Sequence, residues 1–242
     1  MLEPVSKAKI KWLRSLQLKK NREQESVFVV EGEKMVLEGL ESCPELLVTL
    51  IVQKDFTLPA GTDTTHAFTA TTAELEQISA FKSPNKLIAV FKRPEEKAAQ
   101  KGFTIALDSV QDPGNMGTIL RLADWFGVPA IVCSEQTVDC YNPKVIQASM
   151  GAIFRIRVVY TNLGNYLQEQ TAPVYAALLE GTDYTKTDYR KEGILLMGNE
   201  GQGISPALFP FISEAVTIPR KGAAESLNVA TATAILLAEI NR

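Results

Sequence analysis

The chain has 242 residues, 45% hydrophobic and 22% charged, with a net charge of −3, which describes globular protein in one large or two modest domains. Cys43, Cys133 and Cys140 follow no metal-ligand spacing and suit a reducing compartment, while the single histidine, His66, removes Ser–His and Cys–His nucleophile schemes and argues against a zinc site. No apolar run approaches a membrane span and the N-terminus lacks a signal peptide's apolar stretch, so a cytoplasmic location without membrane contact is expected.

Residues 5–20 have helical periodicity, with Ile10, Leu13 and Leu16 on one side and lysines on the other. From Lys7 to Arg22 the basic residues are Lys7, Lys9, Lys11, Arg14, Lys19, Lys20 and Arg22, with no acidic residue among them. Such a run is either a solvated helix face or an arm that contacts phosphates; Lys9, Lys11, Arg14, Lys19 and Lys20 are the candidate phosphate contacts. Next come a strand at Val27–Val30, a helix at Gly32–Leu40 and a β-branched strand at Leu46–Val52. A short helix at Thr72–Ala80, capped by Thr71 or Thr72, and a strand at Leu87–Phe91 complete a small α/β domain over 1–92.

Residues 93–101 are charged, contain Pro94 and lack apolar periodicity, which reads as a linker. From 102 to 242 strands and helices alternate. Strands are expected at Phe103–Leu107, Ala130–Cys133, Arg155–Tyr160, Val174–Leu179, Ile194–Met197 and Ala215–Ile218. Helices are expected at Asn115–Phe126, Pro143–Met150, Leu163–Glu169, Pro206–Phe211 and Ser226–Glu239. The expected fold is α/β, a parallel sheet with helices on both faces whose ligands sit at the C-terminal strand ends.

Two loops lie at those ends. The apolar run Gly193–Met197 breaks into Gly198-Asn199-Glu200-Gly201-Gln202-Gly203. Glycine lets bare backbone approach a ligand, although the spacing also fits an ordinary turn and is neither a dinucleotide fingerprint nor a phosphate loop. The polar stretch from Ile218-Pro219 to Ser226-Leu227-Asn228-Val229 then feeds a long apolar helix. A third segment, Asp108 to Arg121, follows the first strand; Asn115 reads there as a helix cap, and Arg121 reads alone as a surface partner of Asp124 three residues on.

Together these pieces resemble the SpoU-type, TrmH-like 2′-O-ribose RNA methyltransferases of the SPOUT superfamily. The resemblance rests on Asn115, Gly117 and Arg121; on Gly198, Glu200 and Gly203 after an apolar strand; and on Ile218, Pro219, Ser226, Leu227, Asn228 and Val229. Ser149-Met150-Gly151-Ala152 matches a further family segment, and Phe28–Gly32 with Lys86–Phe91 resembles the family's small substrate-binding domain. The resemblance implies a trefoil knot in the C-terminal segment, which ordinary sheet topology would not suggest. It also implies S-adenosylmethionine as cofactor and methyl transfer to a ribose 2′-hydroxyl of structured RNA, ribosomal in preference to transfer RNA, with no metal.

By the same resemblance, Leu178, Leu179, Gly198, Asn199, Gly201, Gly203, Ile218 and Leu227 hold the cofactor. Asn115, Arg121, Glu200, Ser226 and Asn228 form the catalytic set. Deprotonating an arginine at neutral pH costs roughly 8 kcal/mol, so Arg121 is either a base helped by an RNA phosphate or a cation stabilising the developing alkoxide. A transfer RNA enzyme is one alternative. A non-catalytic RNA-binding domain and a nucleotide-phosphate enzyme are two more. The last helix, apolar or small at nearly every position, reads as buried almost all round, which implies a homodimer through the C-terminal domain.

Overall fold

The computed structural model describes residues 2–94 and 102–242. Of the expected linker, residues 95–101 lie outside that description, as does Met1. The chain divides into two compact units, and each is described by itself.

The first unit carries β1 (Glu3–Pro4), α1 (Lys7–Ser15), α2 (Lys19–Gln24), β2 (Val27–Glu31), α3 (Glu33–Ser42), β3 (Leu47–Gln53), β4 (Ala67–Ala70), α4 (Thr72–Ile78) and β5 (Leu87–Lys92). Its sheet runs β1-β4-β3-β5-β2, with β5 antiparallel to both neighbours and the remaining pairs parallel. Leu87 to Phe91 are all buried, so this apolar run forms an interior strand with both faces covered. α4 opens with a reciprocal capping box: Thr71 accepts from Glu74 N–H, and the Glu74 carboxylate accepts from Thr71 N–H.

Three features differ from the sequence reading. The helix expected over 5–20 is two helices, because the buried Arg22 guanidinium donates to the Leu16 and Gln17 carbonyls at 2.9 and 2.8 Å and folds the chain back there. β1 and β4 were not expected; neither is longer than four residues, too short to show alternation. Tyr141–Phe154, expected in the second domain, packs within the first unit. The helix α6 (Pro143–Ser149) lies on β2, the Tyr141 and Phe28 rings are 4.9 Å apart, and Phe154 meets Phe91 edge-on at 5.3 Å. Burying these aromatic rings together outweighs chain order.

The second unit holds β6 (Phe103–Leu107), α5 (Pro113–Trp125), β7 (Ala130–Cys133), β8 (Arg157–Tyr160), α7 (Leu163–Gln168), β9 (Val174–Asp183), β10 (Gly193–Met197), a 3-10 segment (Pro206–Phe211), β11 (Glu214–Thr217) and α8 (Val229–Ile240). All its strand pairs are parallel, in the order β11-β9-β10-β6-β7-β8. Ile194 and Leu196 of β10 share a core with Leu163, Leu167 and Leu208, while α5 and α8 pack against each other. β9 is longer than expected. Ala215 pairs with Ala176 and the next residue, Val216, with Thr182, so residues 177–181 bulge out of the ladder at its C-terminal end. Among the described residues no helix is long and apolar enough to cross a membrane.

Candidate functional site

The site gathers at the C-terminal ends of β6, β9, β10 and β11. Its first side chain comes from the start of α5. Asp112 is the cap there, accepting the Asn115 N–H at 2.8 Å, and Pro113 follows in the first turn. The sequence reading gave the cap to Asn115. Because Asp112 takes that role, the Asn115 amide is free to turn outward.

That amide joins all three motifs. Asn115 Nδ2 donates to Glu200 Oε1 at 2.9 Å, and Asn115 Oδ1 accepts from Asn228 Nδ2 at 2.8 Å. Asn228 caps α8, its Oδ1 taking the N–H groups of Ala230 and Thr231 at 2.9 and 3.2 Å. α8 therefore begins at Val229 and not at Ser226, which leaves Ser226 and Leu227 in the preceding loop. Glu200 also accepts from Asp112 and Gln111 N–H at 3.3 and 3.4 Å. Burial alone would raise the Glu200 carboxyl. The bonds from Asn115, from its own backbone and from Gln111 and Asp112 outweigh burial and hold its pKa below the usual range.

The glycine loop is shaped from within. Asn199 and Gly203 exchange backbone hydrogen bonds at 2.9 and 3.0 Å, Asn199 Oδ1 takes the Gly201 and Gln202 N–H groups, and Asn199 Nδ2 donates to Ser109 O at 2.7 Å. Downstream, the buried Asp108 carboxylate accepts Ser205 N–H at 2.6 Å. The loop is thus stapled at both ends to the chain leaving β6. Neither Asp108 nor the fixing role of Asn199 was anticipated; the one available signal was a carboxylate directly after a buried strand. At Gly198 a Cβ would run into the backbone of Gly203 and Ile204, so the loop's own closure already requires glycine there. Gly203 has φ +71° and open space around it.

The other cofactor candidates lie on neighbouring loops. Leu178 and Leu179 sit in the β9 bulge, anchored where Thr217 Oγ1 donates to Leu179 O at 3.0 Å. Ile218 follows β11, and Leu227 precedes the α8 cap. Leu179 and Leu227 are 76% and 49% exposed, large apolar side chains left open on two of these loops. Ser226 is exposed and makes no hydrogen bond among the described residues. Arg121 is exposed on α5 and likewise unpaired among the described residues, because Asp124 turns to Arg155, whose Nη2 approaches it to 2.8 Å. The expected Arg121–Asp124 pair is absent for that reason.

Of the candidate RNA contacts, Lys11, Arg14, Lys19 and Lys20 are exposed, and Lys19 lies 3.6 Å from Glu23. Lys9 is not available in the same way. Its Nζ lies 3.9 Å from the centroid of Phe68 and 3.4 Å from Thr49 Oγ1, and burial lowers its pKa. Arg22, counted in the basic run, is buried. Among the described residues no three His, Cys, Asp or Glu side chains cluster as metal ligands, and the three cysteines, all buried, form no disulfide.

The chain is 34% identical over 241 residues to the 23S rRNA (guanosine(2553)-2′-O)-methyltransferase RlmP of Bacillus subtilis, covering 98% of this chain and 97% of that protein. A Porphyromonas gingivalis structure assigned to the TrmH family of RNA methyltransferases superposes with TM-score 0.86 at 39% identity, covering 98% of each chain. An AdoMet-bound rRNA methyltransferase from Sinorhizobium meliloti also superposes at 0.86, with 29% identity, covering 99% of this chain and 96% of that one. Residues 7–89 match the MRM3-like substrate binding domain. Residues 102–238 match the SpoU rRNA Methylase family, to which this chain belongs.

Proposed function

We propose that the chain methylates a ribose 2′-hydroxyl of ribosomal RNA with S-adenosylmethionine as donor. The observation that carries this is the bonded sequence Glu200–Asn115–Asn228, which draws three segments distant in the chain onto one point beside the glycine loop. Two of the relatives named above are rRNA methyltransferases, one of them described with AdoMet bound, and support the same reading.

The loops fit the donor. Apolar Leu179 and Leu227 suit an adenine face, and the turns at Gly198 and Ile218 carry backbone polar groups outside the ladder. When bound, S-adenosylmethionine supplies an electrophilic methyl group. Asn115, fixed on both sides of its amide, and the unpaired Ser226 hydroxyl line the approach of the ribose. Arg121 faces solvent with its charge uncompensated, so it attracts the RNA backbone and stabilises negative charge developing on the 2′-oxygen. Glu200 and Asn228 act through Asn115 and the helix caps and are positioning residues.

The same reading includes a knotted C-terminal segment, supported by a chain that leaves edge strand β11 and returns to bond Asn115 at the start of α5. It includes a homodimer. α8 is not covered all round in the single chain: Thr231 and Ala238 are exposed and Ala234, Ile235 and Ile240 half-buried, an open apolar face that a second copy would cover. It also places the enzyme in the cytoplasm, where ribosomal RNA is.

The test is methyl transfer from labelled S-adenosylmethionine to ribosomal RNA of a strain lacking this protein, with 2′-O-methyl mapping. A new ribose methylation in ribosomal RNA is expected. Methylation of transfer RNA alone would move the substrate. Thermal stabilisation by neither S-adenosylmethionine nor RNA, with no transfer, would refute the reading.

A further inference from the structure

Trp125, the last residue of α5, is 84% exposed, the most open large apolar side chain among the described residues. Single exposed apolar residues are ordinary, so exposure alone decides nothing. The neighbours of Trp125 on the helix decide more. Arg121, Thr118 and Gly114 stand four, seven and eleven residues before it, spacings that put all four on one face of α5. Thr118 Oγ1 is turned back onto Gly114 O at 2.8 Å, while Arg121 is exposed and unpaired among the described residues. The face thus starts beside Asn115 and ends one turn beyond Arg121, about 6 Å further along the axis.

The charges around this face separate two possible covers, a second copy of the chain and RNA. Asp112 is engaged at the cap at the opposite end of α5, and Asp124 is held by Arg155, whose Nε and Nη2 reach it at 3.0 and 2.8 Å. α8, packed beside α5, carries one acid, Glu239, which lies 3.6 Å from Arg242. A second copy laid on this face by a two-fold axis would set like faces together and bury Arg121 with no counter-charge from either helix. RNA satisfies both groups at once, with a phosphate for the guanidinium and an aromatic base for the indole. The Arg155 pair helps here too, because it neutralises the carboxylate next to Trp125 that would otherwise repel phosphate.

We propose that Trp125 is a stacking platform for an unpaired base of the RNA substrate, the base flanking the ribose that Arg121 serves. The inference rests on the RNA-methylating function above and deepens it by naming how the neighbouring nucleotide is held. Stacking on an indole tolerates any base, since every base has a π face. Trp125 therefore supplies grip and strand direction along α5, and sequence choice lies elsewhere. Bases free to stack on a side chain are those of loops, bulges and ends, so the substrate is single-stranded where it crosses this turn of the helix.

Two measurements test this, the first without any methyl transfer. The only other tryptophan, Trp12, packs partly buried against the core of the first unit, so the full-length Trp12→Phe protein has Trp125 as its single indole reporter. Without RNA its emission should be that of a solvated indole and open to acrylamide. A short oligoadenylate at low salt should quench it and shield it, whereas an abasic ribose-phosphate oligomer of the same length should not. No response to oligoadenylate, an equal response to the abasic oligomer, or an indole already shielded in the RNA-free protein by a second copy would each overturn the proposal. In the second, variants at 125 are assayed on ribosomal RNA. Trp125→Ala should lower kcat/KM by about 5- to 150-fold, mainly through KM, with Tm and cofactor affinity unchanged. Trp125→Tyr should keep most of the activity, and Trp125→Leu, apolar but without a π face, should behave like alanine. Wild-type kcat/KM in Trp125→Ala or Trp125→Leu would equally overturn it. A protein that transfers no methyl group while oligoadenylate still shields Trp125 would refute the reaction and leave the platform standing.

Discussion

Alanine at each glycine of the 198–203 loop separates what the loop needs for itself from what a ligand needs. At Gly198 the new Cβ meets backbone atoms of Gly203 and Ile204, which no side-chain rotation relieves. Overpacking of this kind costs about 1–3 kcal/mol. If the closed loop is kept, the cost appears as global destabilisation, and 2 kcal/mol corresponds to roughly 4–8 °C in Tm for a chain of this size. If the loop opens instead, the same 2 kcal/mol appears as about a 30-fold weaker cofactor Kd. At Gly203 there is space but φ is +71°, so alanine costs about 1–2 kcal/mol through the backbone alone. At Gly201 the nearest atom to a Cβ is Asn199 Oδ1 at 3.7 Å, so the fold itself tolerates alanine. Any loss of S-adenosylmethionine binding in Gly201→Ala therefore reports the ligand's own approach. Calorimetric titration and thermal unfolding of the three variants give both readouts. A Gly198→Ala protein with unchanged Tm and unchanged Kd would refute the closure argument.

Arg121→Ala should abolish methyl transfer while leaving cofactor affinity within twofold, since the side chain is exposed and bonded to nothing in the loops; an active variant would remove it from the reaction. Replacing Lys11, Arg14 and Lys20 by Gln should reduce the slope of log affinity for RNA against log salt by about 0.7–0.9 per residue. Lys9→Gln should leave that slope unchanged, because Lys9 is engaged with Phe68 and Thr49. Ala238→Glu should shift the protein from two-chain to one-chain mass in light scattering, whereas Leu237→Glu, at a fully buried position, should destabilise the monomer itself; a wild type already at one-chain mass would end the dimer reading. Asn228→Asp keeps a good helix cap but sets an acceptor against Asn115 Oδ1, so Tm should hold within a few degrees while activity falls more than tenfold; full activity would show that the amide linkage is dispensable.

The sequence displayed what local chemistry decides. Phe103–Leu107 and Ala130–Cys133 are apolar runs bounded by turn residues, and both strands form over those bounds. Asn142-Pro143 is legible as a helix start, and Asp112-Pro113, three residues before Asn115, carries the same signal. What was hidden depends on long-range partners. The break after α1 is fixed by Arg22 reaching back to Leu16 and Gln17, and by Gln17 Nε2 bonding Ile78 O and Ser79 O across the unit. A lysine over Phe68 looks in sequence like any other member of a basic run. The glycines of 198–203 were visible as a pattern, but Gly198's reason lies in its own loop five and six residues on, which no ligand-based argument supplies.

Why two asparagines stand at the centre of the site follows from the direction of the hydrogen bonds. The N-terminus of α8 presents unsatisfied donors and a partial positive charge. Asn228 Oδ1 accepts from those donors, its Nδ2 passes a donor to Asn115 Oδ1, and Asn115 Nδ2 passes a donor to the Glu200 carboxylate, which receives two further N–H groups from the approach to α5. Each intermediate must accept on one side and donate on the other, and an amide does this with fixed geometry and no net charge. Aspartate at 115 would meet Glu200 with like charge, and serine is too short to bridge two separate chain segments. The carboxylate belongs at the end of this sequence, where the donors around it favour its ionised, accepting form and hold its pKa below the usual range. The same bonds that order the caps of α5 and α8 thus hold the glycine loop, the 218–228 loop and the start of α5 at one set of distances, so the positions of Ser226 and Arg121 are set by helix capping before any RNA or cofactor arrives.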